Sequence, residues 1–260
     1  MKTILLTATL FFLISCNGIA PDQELKTLIE DYQNFKKQND SNYPLGDFRE
    51  STIEKRASYC KELLAQLKKV DPSSFDEEDT ISYSLLEFVL NEVVTKYEFK
   101  THWNPILSDA GFHSSLTYRV NPITSKQGAL EYLNLLKAIP EYIDQQTQLI
   151  RKGLKAGMGQ PLVIFKGYES TYEQHITLTA EENFYFSPFL KLPKPLSKSE
   201  KDSLQLAAKE VILEAVIPSF KSVKTFFEKE YYPNTRQSIG VSETPNGNAY
   251  YQSRIDFYTT

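Results

Sequence analysis

The sequence predicts an all-α protein, on three observations. Apolar residues recur every three or four positions through most of the chain, and apolar–polar alternation of the strand kind is nearly absent. Serine, aspartate, proline and glycine stand where helices start and stop. The expected architecture is a multi-helix array of antiparallel helices.

The first segment is an address rather than a fold element. Met1-Lys2 gives a short positive start, and an apolar run from Ile4 to Ile14 follows, interrupted only by Thr7 and Thr9. That run is shorter than the roughly 20 residues needed to span a bilayer but suits the core of an export signal. It ends in Leu13-Ile14-Ser15-Cys16, which resembles the bacterial lipobox. Residues 1–15 are therefore expected to be a lipoprotein signal peptide, with Cys16 the lipidated first residue of the mature chain. The bland alternative is an ordinary secretory signal with a chance cysteine. One acyl chain holds a membrane only weakly and stable anchoring takes two lipid signals, which a diacylated and N-acylated cysteine supplies. Residues 16–20 then form a lipidated tether, and 21–260 a helical region facing the periplasm or the cell surface.

Pro21-Asp22 suits a helix start, and Leu25, Leu28, Ile29, Tyr32 and Phe35 follow at helical spacing. Ser51 to Glu54 matches a capping box, predicting a helix to about Val70, before Pro72. Ser74 to Glu77 repeats the signal ahead of Ile81, Leu85, Phe88, Val89 and Val93, the apolar residues of a helix to about Tyr97. Periodicity is lost from Lys100 to Pro122, a long connection with one short helix near His113. Thr124 to Gln127 starts another helical run, which Pro140 divides in two because proline lacks the amide proton and clashes with the preceding turn. Gly157 and Gly159 end the second part. Pro161 opens a helix carrying Leu162, Phe165, Tyr168 and Tyr172, and Asn183 to Pro195 reads as loop. Ser197 with Glu200 caps a long helix through Phe227, bent at Pro218, and a last helix runs from Ala249 to Phe257.

Composition narrows function by exclusion. A formal net charge of −4 with no basic block offers no electrostatic footprint for nucleic acid. Of the two cysteines, Cys60 lies in the stripe Ile53, Ala57, Cys60, Leu64, Leu67, where it acts as a small hydrophobe. The three histidines, His102, His113 and His175, form no HExxH or HxH motif and pair with no cysteine at metal-ligand spacing. They read as loop or helix-surface residues; His102 and His113 could meet in space, and a hydrolase using either with nearby carboxylates is the sharper alternative. GxSxG, GxxxxGK[ST] and GxGxxG are absent. Gly153, Gly157 and Gly159 follow a helix, so they terminate it rather than cradle a phosphate. The run Asp76-Glu77-Glu78-Asp79 opposes the positive end of a helix dipole, a simpler role than cation binding. Aromatics around Phe184 to Phe189 and Phe226 to Tyr232 could line a binding surface, but helix packing is their ordinary use. No catalytic and no metal-binding residue is assigned, and the chain itself is expected to carry no cofactor.

The order of segments resembles the N-terminal half of the bacterial family called Domain of Unknown Function 885. The matching stretches are Tyr43 to Asp47, Leu63 to Leu86, Tyr132 to Gly157 with Gln160-Pro161, Ala215 to Pro233, and Tyr258 to Thr260. Members of that family are often lipoproteins about twice this length. Their second half carries an HExxH-like zinc motif, for which they are compared with zinc metallopeptidases. The resemblance therefore implies a membrane-anchored lipoprotein, zinc as cofactor of the complete family protein, a peptide substrate, and an incomplete part of a larger helical fold. The partners implied are the membrane, through the lipid, and the missing C-terminal half. No residue of this chain matches the metal motif. The rival expectation is a self-standing helical lipoprotein that binds a peptide or envelope partner through its aromatic regions.

Overall fold

Nine α-helices, joined by 3₁₀ and π turns, make up the regular structure of residues 20–38, 42–107 and 110–259, which the computed structural model describes. Cys16, the signal segment and all of the tether but Ala20 lie outside these residues. Among the described residues the only β features are two isolated bridges, Ile106 with Gly111 and Pro161 with Arg236. Among the described residues no helix is long and apolar enough to cross a membrane. The all-α expectation holds.

Two hydrophobic cores organise the helices. The smaller lies among α1 (Pro21–Lys37), α2 (Glu50–Leu67) and α3 (Glu77–Glu98). It is filled by Leu25, Leu28, Cys60, Leu63, Leu67, Leu86 and Leu90. Each fully buried leucine contributes about 1.5–3 kcal/mol, so this stripe is what holds three otherwise marginal helices together. The larger core is built by α4 (Lys126–Lys137), α5 (Ile139–Lys155), α6 (Ser170–Glu173), α7 (Lys198–Val211) and α8 (Ile217–Phe226), with the connections between them. The last helix, α9 (Gly247–Tyr258), packs outside it.

The helix starts show where local chemistry was read correctly and where it was not. Ser197 and Glu200 form the reciprocal capping box. The box expected at Ser51 does not form: α2 starts two residues early behind Arg49, and Ser51 is inside it. Asp47 organises that entry instead, accepting from the Arg49 backbone and guanidinium and from Thr52 Oγ1. Asp76, not Ser74, caps α3 by accepting from the Asp79 amide, and Ser125, not Thr124, caps α4 through Gly128. Aspartate offers an acceptor of the same reach as serine, so spacing alone does not choose between neighbouring candidates. The acidic run Asp76 to Asp79 does occupy a cap and first turn.

Prolines act largely as anticipated. Pro140 separates α4 from α5. The bend near Pro218 is a π turn, Ile212–Val216, closed by the Ile217 amide bonding to the Ile212 carbonyl. A second π turn, Phe227–Tyr231, is closed the same way by Tyr232, just before Pro233. In both, the wider turn comes where the next residue can neither donate nor fit against the carbonyl four residues back. The single helix expected after Pro161 is instead a 3₁₀ turn, Leu162–Phe165, and the one-turn α6, separated by Gly167 at φ +79°. The expected loop at 183–195 contains a half-buried 3₁₀ helix, Phe184–Lys191, started by Asn183. Gly157 ends α5 in a Schellman turn, with the Met158 amide on the Gly153 carbonyl and the Gly157 amide on that of Leu154. Gly153 does not terminate anything. It lies within α5, where a Cβ would sit on the Trp103 carbonyl oxygen, so its role is to admit the 101–103 turn against the helix.

Candidate functional site

Three polar side chains from two other elements converge at the seam between the two cores, on Glu50 in the first turn of α2. Its carboxylate accepts from His102 Nε2 (3.1 Å), Trp103 Nε1 (2.8 Å) and Lys152 Nζ (3.2 Å). Gly153 makes this approach of the Trp103 backbone to α5 possible, one residue after Lys152. Burial disfavours the charged form of Glu50, but the three donors outweigh it and hold the carboxyl below its ordinary range. His102 is shifted down by burial, partly countered by Glu50, so at neutral pH it is a neutral imidazole donating through Nε2. Its ring also stacks on Tyr97. A neutral histidine oriented by a carboxylate is one half of a nucleophile-activating arrangement, yet no serine, threonine or cysteine bonds to it among the described residues. Neither Glu50 nor His102 lines the cavities described below. The arrangement ties α2, the 101–103 turn and α5 together.

The other two histidines correct half of the sequence expectation. His113 and His175 do lie in turns between helices, but they are 0% and 2% exposed and so are not surface residues. Phe112, Tyr168, Tyr172 and Phe227 surround His113 with ring centroids 5.1–6.0 Å away. Its Nε2 lies 2.8 Å from Thr171 Oγ1, whose own proton goes to the Tyr168 carbonyl. His113 therefore donates through Nε2, leaving Nδ1 without a partner. His175 packs on Phe220 at 4.5 Å and Tyr185 at 5.1 Å, and neither ring nitrogen has a partner. Burial, with a smaller contribution from His175, pushes His113 down to about 3, and burial pushes His175 down to about 4. Both are neutral core residues. His102 and His113 have separate partners: the first belongs to the seam, the second to the aromatic core.

Cys60 is buried as expected, and desolvation pushes its thiol up to about 11. Among the described residues no group of three or more histidine, cysteine, aspartate or glutamate side chains could hold a metal ion. Two of the open cavities carry both acidic and basic side chains close to the helices of the cores. One of 620 Å³ lies beside α1 and α2, lined by Tyr43, Asp47, Arg49, Arg56 and Tyr59 among others. Its acidic member is held well below the usual carboxylate range, chiefly by Arg49. The second, 310 Å³, lies between α5 and α8 with Asp144, Arg151 and Ser219 on its walls. Arg151 is engaged by Glu230 in a two-pronged ion pair. Neither cavity brings together a base, a nucleophile and an oxyanion donor, the minimum for hydrolysis. The seam at Glu50 escaped sequence reading because its partners lie 52, 53 and 102 positions away.

The pattern of a family described as "Bacterial protein of unknown function (DUF885)" matches residues 32–260. No curated protein matches. The fold is similar to a crystal structure described as "the putative lipoprotein from Colwellia psychrerythraea", with a TM-score of 0.70 at 14% identity. The alignment covers 92% of this chain and 46% of that one, so this chain spans about half the length of the solved protein.

Proposed function

Because this chain belongs to the bacterial family DUF885, we propose that it is a lipoprotein anchored through Cys16 and that it supplies the helical N-terminal part of a longer, metal-hydrolase-like assembly. One observation carries the reading: nearly all of this chain aligns with less than half of a solved protein that is itself described as "the putative lipoprotein". The chain serves as framework, and on its own it is non-catalytic.

Zinc, which the family resemblance implies for the complete protein, does not fit the residues present here. His102 is committed to Glu50, and His113 and His175 are enclosed by aromatic rings rather than carboxylates or thiols. No catalytic step is therefore derived through a metal in this chain. The rival reading, an envelope-partner binder working through its aromatic regions, is supported less. Tyr185, Phe186, Phe189, Phe226, Phe227 and Tyr231 are turned inward: Tyr185 packs on Phe220, Phe186 on Phe189, and Phe226, Phe227 and Tyr231 on one another.

The test has two arms. Expressed with its own leader in a bacterial host, the chain should incorporate a fatty-acid label that Cys16→Ser abolishes; an unlabelled wild-type chain refutes the anchor. Purified, it should hold no stoichiometric zinc and hydrolyse no peptide, and zinc together with turnover refutes the non-catalytic framework.

A further inference from the structure

The helix α3 is apolar on two sides, and one of them is covered only at its C-terminal end. Leu86 and Leu90 face the small core, whereas Ile81 and Leu85 are 61% and 59% exposed. With Phe88 they form an i, i+4, i+7 stripe pointing away from that core. The upper end of the stripe is partly covered by α9. Tyr250 meets Phe99 at 5.7 Å, Arg254 clamps Glu92 with both guanidinium nitrogens (2.8 and 2.9 Å), and Phe257 stacks on Phe88 at 5.0 Å. As the numbers rise along α9 they fall along α3, so the two helices run antiparallel. The next turn along that line, about 5.4 Å on, lies over Leu85, and the turn after it lies over Ile81. The outer side of α9 repeats the pattern with Tyr251, Ile255 and Tyr258, again exposed and again i, i+4, i+7.

From this register we propose that the stripe Ile81–Leu85–Phe88 is the docking line for a helix supplied by the second half of the longer family fold. That helix lies antiparallel to α3 and in line with α9. The proposal rests on the framework reading above and adds the surface and direction of the contact. Two features select this occupant over a second copy or a peptide. The segment of α3 already covered is covered by a helix of this fold in the same orientation, and the solved structure has more than half its length outside the part this chain matches. The outer stripe of α9 extends the same surface, so the incoming half would sit over both helices. Exposed leucines and isoleucines in a helical stripe are otherwise an aggregation liability.

The test is site-specific photocrosslinking in the native host, with the crosslinker replacing Leu85 in one strain, Val163 in a second and Glu54 in a third, followed by peptide mass spectrometry. Val163 is exposed on the 162–165 turn, and Glu54 lies on α2. The expected result is a Leu85 crosslink to a peptide from a DUF885 second half, joined in the same polypeptide or as a separate one, with none from Glu54. Crosslinks to such a peptide from Val163 but not Leu85 overturn the docking line and leave the framework reading standing. Crosslinks from Leu85 to a second copy of the chain, or to an unrelated protein, also overturn it. If no position reaches a second half, both readings fall. Leu85→Glu, at an exposed position, should leave the thermal melt of the isolated chain within about 2 °C while abolishing the Leu85-line contact.

Discussion

Acidification to pH 5 should destabilise this protein markedly, and the two buried histidines supply the reason. In the unfolded chain each titrates near pH 6.5; in the fold they are pushed down to about 3 and about 4. Because the folded values lie below the unfolded ones, the unfolded state takes up protons first as the pH falls. Stability is therefore full above about pH 6.5, is lost as the pH drops through 6 and 5, and stops falling only near the folded values. At pH 5 both histidines are still neutral in the fold, so their mutual repulsion does not enter and the two contributions add. Each removes about 2 kcal/mol between pH 7 and pH 5, at about 1.4 kcal/mol per pH unit below 6.5. The sum, about 4 kcal/mol, is a large share of the 5–15 kcal/mol typical of a domain. The assay is urea unfolding followed by far-ultraviolet circular dichroism at pH 7 and pH 5. His113→Gln and His175→Leu should each remove about half of the pH dependence and the pair nearly all of it, whatever they do to stability at pH 7. A wild-type midpoint that does not move between these pH values, or a double variant that keeps the full slope, refutes the reasoning.

Three further outcomes follow from individual contacts. Gly153→Ala should destabilise by about 1–3 kcal/mol, because a Cβ meets the Trp103 carbonyl, even though alanine is the better helix former by about 1 kcal/mol; a raised melting temperature would count against the close approach. Arg254→Ala should loosen α9 by removing both guanidinium bonds to the largely enclosed Glu92, which keeps only Lys96, a loss of about 1–2 kcal/mol. Hydrogen exchange should then accelerate across 247–258 and not in α5, and unchanged protection of α9 would contradict the clamp. With Cys16 replaced by serine, Cys60 should react with a thiol reagent at pH 8 only on the timescale of opening of the α1–α3 core, since its thiol is buried and pushed up to about 11; labelling within seconds would refute its enclosure.

Much of the site description was out of reach of sequence reasoning for a specific reason. Helix boundaries are signalled within four or five residues, so Pro140 and the Ser197–Glu200 box were readable, and errors such as Ser74 for Asp76 amounted to a residue or two. Glu50 carries no local mark at all: it is an ordinary first-turn glutamate until His102, Trp103 and Lys152 arrive from two other elements. The histidines were misjudged because polarity argues for the surface. A neutral imidazole is close enough to an aromatic ring in shape to be enclosed by Phe220 or Phe227, at the cost of unpartnered nitrogens.

By itself the sequence determined the helical class, the division of the chain into helices and the family to which it belongs, since periodicity, proline and capping groups act over one or two turns. Only the tertiary structure decided which side of α3 is inside. Ile81, Leu85, Phe88, Val89 and Val93 were indistinguishable as apolar positions on one helix. Which of them meet a core depends on where α1 and α2 lie, and the uncovered remainder now defines the most informative surface of the protein.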